Sequence, residues 1–381
     1  MLVFYETFTS KTDVDDIMQL RGDKAQFILN LMQDAIRTHN DFMHILRGGT
    51  PRLHNARKIF LNEILKLGLL RNVDRPSTAS DARRLLVRLS EAADILPFSL
   101  AILGVNNKSA NPLFGGAFGD VYDAKYQGNR VALKRLRLFH TDGDDEESRQ
   151  IRQKFYREAL IWKNLDHEYV LPFLGVDSTS FPGFLCMVSP WMSKGAIVTT
   201  RGGPNINSIP ILMYEIAVGL QYLHSENIVH GDLRGANILL DDEGHARLAD
   251  FGLTAFADGP LAPTKRGGST RWMAPELLDP ASCGLDVFRR TYVTDVYSFA
   301  CVCLEMYTGM PPFSDIISEG AVLLKVIKGD RPECPTAMPD WCTQYITECW
   351  SHTPTNRPGI ASIIESIVKA VRTRPRSTVT S

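Results

Sequence analysis

The string HGDLRGAN at residues 230–237 and the string DFG at residues 250–252 decide the fold of this chain. Between them they place Asp232, Asn237 and Asp250 within a short stretch. A single Asp or Asn is ordinarily a helix cap or a turn residue, so either string alone would carry little weight. The two strings gain their meaning from the further motifs that lie on either side of them in a fixed order.

These flanking motifs resemble those of protein kinases, and are most similar to the tyrosine-kinase-like group. The upstream motifs are LFGGAFGDV at residues 113–121, VALK at residues 131–134 and Glu158. The downstream motifs are RWMAPE at residues 271–276, DVYSF at residues 295–299 and Arg357-Pro358. RWMAPE and LPFLG at residues 171–175 point to that group. Agreement of so many strings at family spacing leaves little room for chance.

The resemblance covers residues 100–371 and implies the α+β, bilobal protein kinase fold. A small antiparallel β-rich N-lobe is expected over residues 100–191, and a helical C-lobe over residues 192–371. Before them, apolar residues at helical spacing predict an N-terminal helical region over residues 1–95. Its short stripes offer limited apolar area, so we expect these helices to dock on the kinase domain. The last ten residues, 372–381, read as a flexible basic tail.

The resemblance implies transfer of the γ-phosphoryl group of ATP to Ser or Thr hydroxyls of protein substrates. Asp232 matches the residue that meets the acceptor hydroxyl, with Arg234 beside it in the catalytic string. Asn237 and Asp250 match the two Mg²⁺ ligands, and Lys134 matches the lysine that holds the α- and β-phosphates. Glu158 is expected to form an ion pair with Lys134 that fixes its position, and Glu276 one with Arg357.

The nucleotide is expected to lie between a glycine-rich loop and the segment that links the lobes. The residues expected to contact it are Gly115, Gly116, Ala117, Phe118, Gly119, Val121, Ala132, Lys134, Pro190, Met192 and Leu239. In the family, the position of Pro190 offers only its C=O to adenine and that of Met192 an N–H, so a proline is tolerable there. Phe114 stands where the loop's first glycine is expected, which predicts weak nucleotide binding.

Two other functions remain open. A pseudokinase scaffold, which binds partners without transferring phosphate, is favoured by Phe114 but opposed by the presence of every catalytic residue named above. A helical adaptor with the kinase domain as passenger rests only on residues 1–95. The acceptor class is also open, because Arg234 stands where serine/threonine kinases usually have Lys, and some tyrosine kinases have Arg there.

Composition excludes several classes of protein. Lys and Arg number 42 against 43 Asp and Glu, a net charge of −1, so no general nucleic-acid surface is expected. No run approaches the roughly 18 apolar residues of a membrane span, so no membrane partner is expected. Seven scattered cysteines, none in a C-x-x-C pair, favour a cytoplasmic or nuclear setting. ATP and a protein substrate are the expected partners, and the oligomeric state stays open.

Overall fold

The computed structural model describes a β-rich lobe followed by a helical lobe. The described residues are 86–87, 90–91, 94–115, 119–135, 146–198, 204–250, 255–256, 270–286 and 288–373. Antiparallel strands dominate up to residue 190, and helices dominate from residue 209 onwards. This arrangement confirms the predicted α+β, two-lobed fold.

The first lobe is built on a five-stranded antiparallel sheet with the order β1-β2-β3-β5-β4. Its strands are β1 (Phe114–Gly115), β2 (Asp120–Tyr126), β3 (Asn129–Arg135), β4 (Gly175–Asp177) and β5 (Cys186–Pro190). Gln127 and Gly128 both have positive φ and form the tight turn between β2 and β3. Asn129 is already in β3, because the two left-handed residues complete the turn.

A long helix, α1 (Glu146–Lys163), belongs to the first lobe and carries Glu158. Its residues Phe155 and Ala159 are buried. Glu146 and Glu147 lie in its first turn. Negative side chains suit this position because the helix dipole is positive at its N-terminus.

The second lobe consists mainly of helices packed around one buried cluster. They are α2 (Ile209–Ser225), α3 (Pro275–Leu278), α4 (Tyr292–Thr308), α5 (Glu319–Lys328), α6 (Asp340–Cys349) and α7 (Ile360–Thr373). Leu212, Ile216, Leu220 and Leu223 of α2 are all buried, as their spacing predicted. The helix α7 continues to Thr373, two residues into the predicted tail, and the rest of that tail lies outside the described residues.

Short strands at the base of the cleft hold the loop that contains HGDLRGAN. They are β6 (Gly195–Ala196), β7 (Ile228–Val229), β8 (Ile238–Leu240), β9 (Ala246–Leu248) and β10 (Ala255–Phe256). β8 pairs with β6 and β9, and β7 pairs with β10. The loop at residues 230–237 therefore runs between two strands that are each fixed by a partner. Single-turn 3₁₀ helices at Phe98–Leu100, Gly235–Asn237, Thr270–Trp272, Ala281–Cys283 and Pro354–Asn356 complete the described elements.

Most of the predicted N-terminal helical region lies outside the described residues. Within it, Leu86, Val87, Ser90 and Glu91 are helical. Across the part of the chain that the structure describes, no helix is both long and apolar enough to cross a membrane. All seven cysteines are free thiols.

Candidate active site

Lys134 lies between two carboxylates that come from different parts of the chain. Its Nζ is 2.8 Å from Asp250 Oδ1 and 3.4 Å from Glu158 Oε1, which confirms the predicted Lys134–Glu158 ion pair. Burial would lower the pKa of Lys134, but Asp250 and Glu158 outweigh it and raise that pKa, so the ammonium stays charged. Two carboxylates around one ammonium leave a local excess of negative charge, which a divalent cation would balance.

Asp250 reaches this position through an unusual backbone conformation. It follows β9 directly after Ala249 and has a φ of +64°, in the left-handed region that Asp tolerates better than most side chains. Burial would raise the pKa of its carboxyl, but Lys134 lowers it below its ordinary value. Asp250 is therefore an ionised oxygen donor that faces the cleft from its floor, as a Mg²⁺ ligand must be.

Asp232 and Asn237 are joined inside the loop. Asn237 Nδ2 donates to the main-chain oxygen of Asp232 at 2.8 Å and to its Oδ2 at 3.0 Å. Arg234 Nε lies 3.6 Å from the same Oδ2. Among the described residues the buried Asp232 Oδ1 has no hydrogen-bond partner. A buried acceptor without a partner is costly, so this oxygen is suited to receive a hydroxyl from a bound substrate. With its amide nitrogen engaged, Asn237 has its amide oxygen left as the atom that could bind a metal.

Asp295 of α4 anchors the start of the loop and was not assigned a role from the sequence. Its Oδ1 accepts from the Gly231 N–H and its Oδ2 from the His230 N–H, both at 2.9 Å, and His224 Nε2 lies 2.9 Å from Oδ2. Asp295 is only 1% exposed. The signal available in the sequence was the acidic residue that opens the DVYSF string at the start of a helix.

Glu305, in the last turns of α4, anchors the end of the loop and was missed by the sequence analysis. Its Oε2 accepts from the Gly235 N–H and from Trp272 Nε1, both at 2.9 Å. Burial raises the pKa of Glu305, and these two donors oppose the shift. A Cβ at Gly235 would lie 2.5 Å from Val198 Cγ1 and 2.8 Å from Glu305 Oε2, so this position has room only for glycine. The sequence signal was a single carboxylate within the apolar stretch VCLEMY.

Arg290 contacts the main chain of Gly231. Protein kinases commonly have an Arg at the position of Gly231 itself. Arg290 Nε donates to the Gly231 carbonyl at 2.9 Å, and Arg290 is 2% exposed. Burial lowers the pKa of Arg290, while the charges of Asp232 and Asp295 act to raise it. The guanidinium therefore interacts electrostatically with both carboxylates. A cation from another part of the chain thus supports the loop beside Asp232.

Those residues expected to contact the nucleotide that the structure describes lie on or next to β1, β2, β3, β5 and β8. Val121 pairs with Lys134 across β2 and β3, and Ala132 pairs with the buried Ser189 across β3 and β5. Pro190 ends β5, Met192 follows it, and Leu239 lies on β8. Gly115 lies in β1 and Gly119 is buried before β2, whereas Gly116, Ala117 and Phe118 lie outside the described residues. The assignment of a nucleotide contact to each of these residues stays a prediction.

Phe114 lies in β1, where it pairs with Val121. Its side chain is 55% exposed, and its ring centroid is 6.2 Å from that of Trp191 in the segment after β5. Arg130 covers the Trp191 ring, with its guanidinium carbon 4.2 Å from the centroid. The ring of Phe114 therefore lies beside the segment that links the lobes.

A small pocket lies beside Asp232, and Trp272, Met273 and Leu277 are among the residues that line it. Close by, Arg357 binds Glu276 with two hydrogen bonds, NH1 to Oε1 at 2.6 Å and NH2 to Oε2 at 2.7 Å, which confirms the predicted ion pair. This pair fixes α3, whose residue Leu277 forms a wall of the pocket. The pocket thus adjoins Asp232, the residue expected to meet the acceptor hydroxyl.

Comparison with known proteins agrees with this geometry. A family model described as protein tyrosine and serine/threonine kinase matches residues 108–367. Serine/threonine-protein kinase STY17 of Arabidopsis thaliana is 30% identical over 68% of this chain and 43% of its own length. From the same plant, serine/threonine/tyrosine-protein kinase HT1 is 28% identical over 71% of this chain and 67% of its own length, and mitogen-activated protein kinase kinase kinase 5 is 30% identical over 66% and 35%. The chain thus spans less than half the length of STY17, and it belongs to the protein tyrosine and serine/threonine kinase family.

Proposed function

We propose that this chain is an active protein kinase that transfers the γ-phosphoryl group of ATP to Ser or Thr hydroxyls of protein substrates in signalling. The observation that carries this proposal is the proximity of the Lys134–Glu158–Asp250 cluster to the Asp232–Asn237 pair. The N–H of Ala249, next to Asp250, donates to the Asn237 main-chain oxygen at 2.9 Å. Positioning and charge stabilisation supply nearly all of the catalysis in phosphoryl transfer, and the chain has every group that this needs.

Each residue has a distinct task in the proposed reaction. Asp232 receives or orients the proton of the acceptor hydroxyl while the new O–P bond forms and the bond to the ADP oxygen breaks. Lys134, held by Glu158, neutralises the α- and β-phosphates. Asn237 and Asp250 would hold Mg²⁺, which supplies the positive charge that stabilises the phosphate oxygens. Asp295, Glu305 and Arg290 keep the loop in place.

The proposed acceptor is Ser or Thr. STY17 and several other relatives are named serine/threonine kinases, while HT1 is named a serine/threonine/tyrosine kinase. Arg234, 3.6 Å from Asp232, can serve in either class, so the acceptor must be established by experiment.

The deciding experiment incubates the purified chain with γ-labelled ATP, with Mg²⁺ or with Mn²⁺, and with peptide mixtures that contain Ser, Thr or Tyr. The proposal expects metal-dependent incorporation, with phosphosites mapped to Ser and Thr. Incorporation on Tyr alone would overturn the acceptor class. No incorporation with any acceptor and either metal would replace this proposal by the pseudokinase scaffold.

Substitution of Phe114 by Gly is expected to lower the Michaelis constant for ATP. The ring now leans on Trp191 at the entrance to the cleft, and Gly would restore the freedom of the loop to close over the phosphates. Initial rates at several ATP concentrations measure the effect, with the Michaelis constant for the peptide as the internal control. A higher constant for ATP would show that the ring covers the nucleotide instead of obstructing it.

Removal of phosphate from the chain is expected to leave kcat nearly unchanged. Where the family commonly has an Arg that gathers a phosphorylated loop, this chain has Gly231, and the nearby Arg290 is buried against its carbonyl. Phosphatase treatment, checked for completeness by mass spectrometry, followed by a kcat measurement tests this expectation. A large loss of rate would contradict it.

A further inference from the structure

A segment that precedes the kinase domain is bound to the helix that carries Glu158. We name this segment the N-terminal strap and define it as the described residues between Leu86 and Ile102. Arg152 of α1 forms two hydrogen bonds to Asp94 of the strap. Its Nε lies 3.0 Å and its NH2 lies 2.5 Å from Asp94 Oδ2. A guanidinium that binds one carboxylate through two nitrogens fixes direction as well as distance.

A second set of contacts joins the strap to the next turn of α1. Arg157 Nε donates to Glu91 Oε1 at 2.7 Å, and Gln153 Nε2 donates to the Glu91 main-chain oxygen at 2.9 Å. Arg157 directly precedes Glu158 in the sequence. Arg152, Gln153 and Arg157 are spaced so that they lie along one side of α1. The strap therefore holds about one and a half turns of this helix, up to the residue next to Glu158.

Apolar burial supports these polar contacts. Leu86, Val87, Ile95 and Leu100 of the strap are all buried, and they belong to the same cluster as Phe155, Tyr156 and Ala159 of α1. Inside the strap, Ser90 Oγ donates to the Ile95 main-chain oxygen, and Asp94 has a φ of +51° in the turn between them. Burial first, and then Asp94, raises the pKa of Tyr156 to about 12.

The other end of the strap is fixed to the sheet. Ala101 forms a parallel bridge with Val176 of β4, and the Ile102 N–H donates to the Val176 carbonyl at 2.9 Å. A Cβ at Gly175 would lie 2.4 Å from Ile102 Cγ2 and 2.8 Å from the Leu100 carbonyl oxygen, so the strap approaches β4 as closely as glycine permits. The strap thus ties α1 to the same sheet that carries Lys134.

The Lys134–Glu158 contact depends on the distance between α1 and the sheet. Its 3.4 Å separation is the longer of the two ion-pair distances at Lys134, so a small shift of α1 would break it and leave Lys134 with Asp250 alone. We propose that Glu91 and Asp94 of the strap are positioning residues for Glu158, and that they make phosphoryl transfer depend on the segment that precedes the kinase domain. This inference rests on the proposed function.

The test reverses one ion pair in the full chain and then restores it. Glu91→Arg opposes Arg157 with a like charge, and Arg157→Glu does the same from the other side. We expect each single variant to lose roughly five- to tenfold in kcat, in the range of ordinary coupling between sites. The double variant, which swaps the two charges, should recover kcat to near the wild-type value, and the Michaelis constant for the peptide should stay unchanged throughout.

A matched control uses an ion pair far from α1. Lys325 and Asp330 form an exposed pair at 3.3 Å, so Lys325→Glu creates the same kind of repulsion without touching the strap. Its kcat should equal that of the wild type. A wild-type kcat in both single strap variants, or a double variant that fails to recover, would overturn the proposal.

Hydrogen exchange of residues 146–163 gives a readout that does not require catalysis. The single strap variants should exchange faster in this helix than the wild type, and the charge swap should restore protection. If the wild type transfers no phosphate but this pattern holds, the proposed function fails while the strap still positions α1. Unchanged exchange in the single variants would reject the role of the strap whatever the activity.

Discussion

An Asp232→Asn variant is expected to lose phosphoryl transfer while it keeps its affinity for ATP. A positioned acid or base contributes about 10²- to 10⁴-fold to a rate. Among the described residues of this loop, Asp232 is the one carboxylate with a buried oxygen that has no hydrogen-bond donor. Asn has the same shape, and its amide oxygen can still accept the hydrogen bond that Asn237 now donates to Asp232 Oδ2. The loop should therefore keep its structure and lose only the negative charge.

The two functions separate because different residues serve them. Lys134 and Asp250 are joined at 2.8 Å, and they are expected to hold triphosphate and metal without Asp232. Titration calorimetry with ATP and Mg²⁺ measures binding, and a single-turnover assay measures transfer. Lys134→Met is the matched variant, since it should weaken nucleotide binding as well. Equal incorporation by wild type and Asp232→Asn would assign the activity to a contaminant.

The sequence predicted the site best where its residues belong to dense strings. HGDLRGAN, DFG and VALK located Asp232, Asn237, Asp250 and Lys134, and the helical spacing of apolar residues located the buried face of α2. The ion pairs Lys134–Glu158 and Glu276–Arg357 were also predicted, because each has a partner inside a motif. For these residues the local pattern and the family spacing agree, and the structure has the expected contacts.

The supports of the loop could not be predicted in the same way. Asp295, Glu305 and Arg290 each act on a residue about 60 to 70 positions away in the sequence. Asp295 and Glu305 are single charges in largely apolar stretches, and Arg290 follows a second arginine, Arg289. Such a charge is costly to bury unless it is paired, which indicates a partner but does not name it. Only the fold brings α4 against the loop and so identifies the partner.

The same reasoning applies to the strap. The limited apolar area of the N-terminal stripes predicted docking on the kinase domain, and the described residues of the strap do contact α1 and β4. The sequence did not indicate that Asp94 and Glu91 would select Arg152 and Arg157, because surface charges at these spacings are compatible with many partners. Docking of the stripes before residue 86 lies outside the described residues and stays a prediction.

Removal of the carboxylate at Glu276 is expected to cause a large loss of stability. The side chains of Glu276 and Arg357 are 3% and 0% exposed and share two hydrogen bonds of 2.6 and 2.7 Å. In Glu276→Ala the guanidinium stays buried with only the carbonyls of Ser351 and Val293 as acceptors. Breaking a buried pair in this way typically costs about 3–5 kcal/mol, because one charge is left without its partner.

Thermal unfolding measures this effect, and for a domain of this size the cost corresponds to a fall in Tm of roughly 6–20 °C. The Tm of Glu276→Gln should lie between those of Glu276→Ala and the wild type, since the Gln amide oxygen can still accept one hydrogen bond from Arg357. The side chains of Lys325 and Asp330 are 48% and 50% exposed, so Lys325→Ala removes one side of an exposed ion pair. This variant should leave Tm unchanged. Because Glu276 also fixes α3 beside the pocket, the Ala variant should raise the Michaelis constant for the peptide below its Tm. A wild-type Tm for Glu276→Ala would show that the pair contributes nothing to stability, and that α3 is held by its apolar contacts alone.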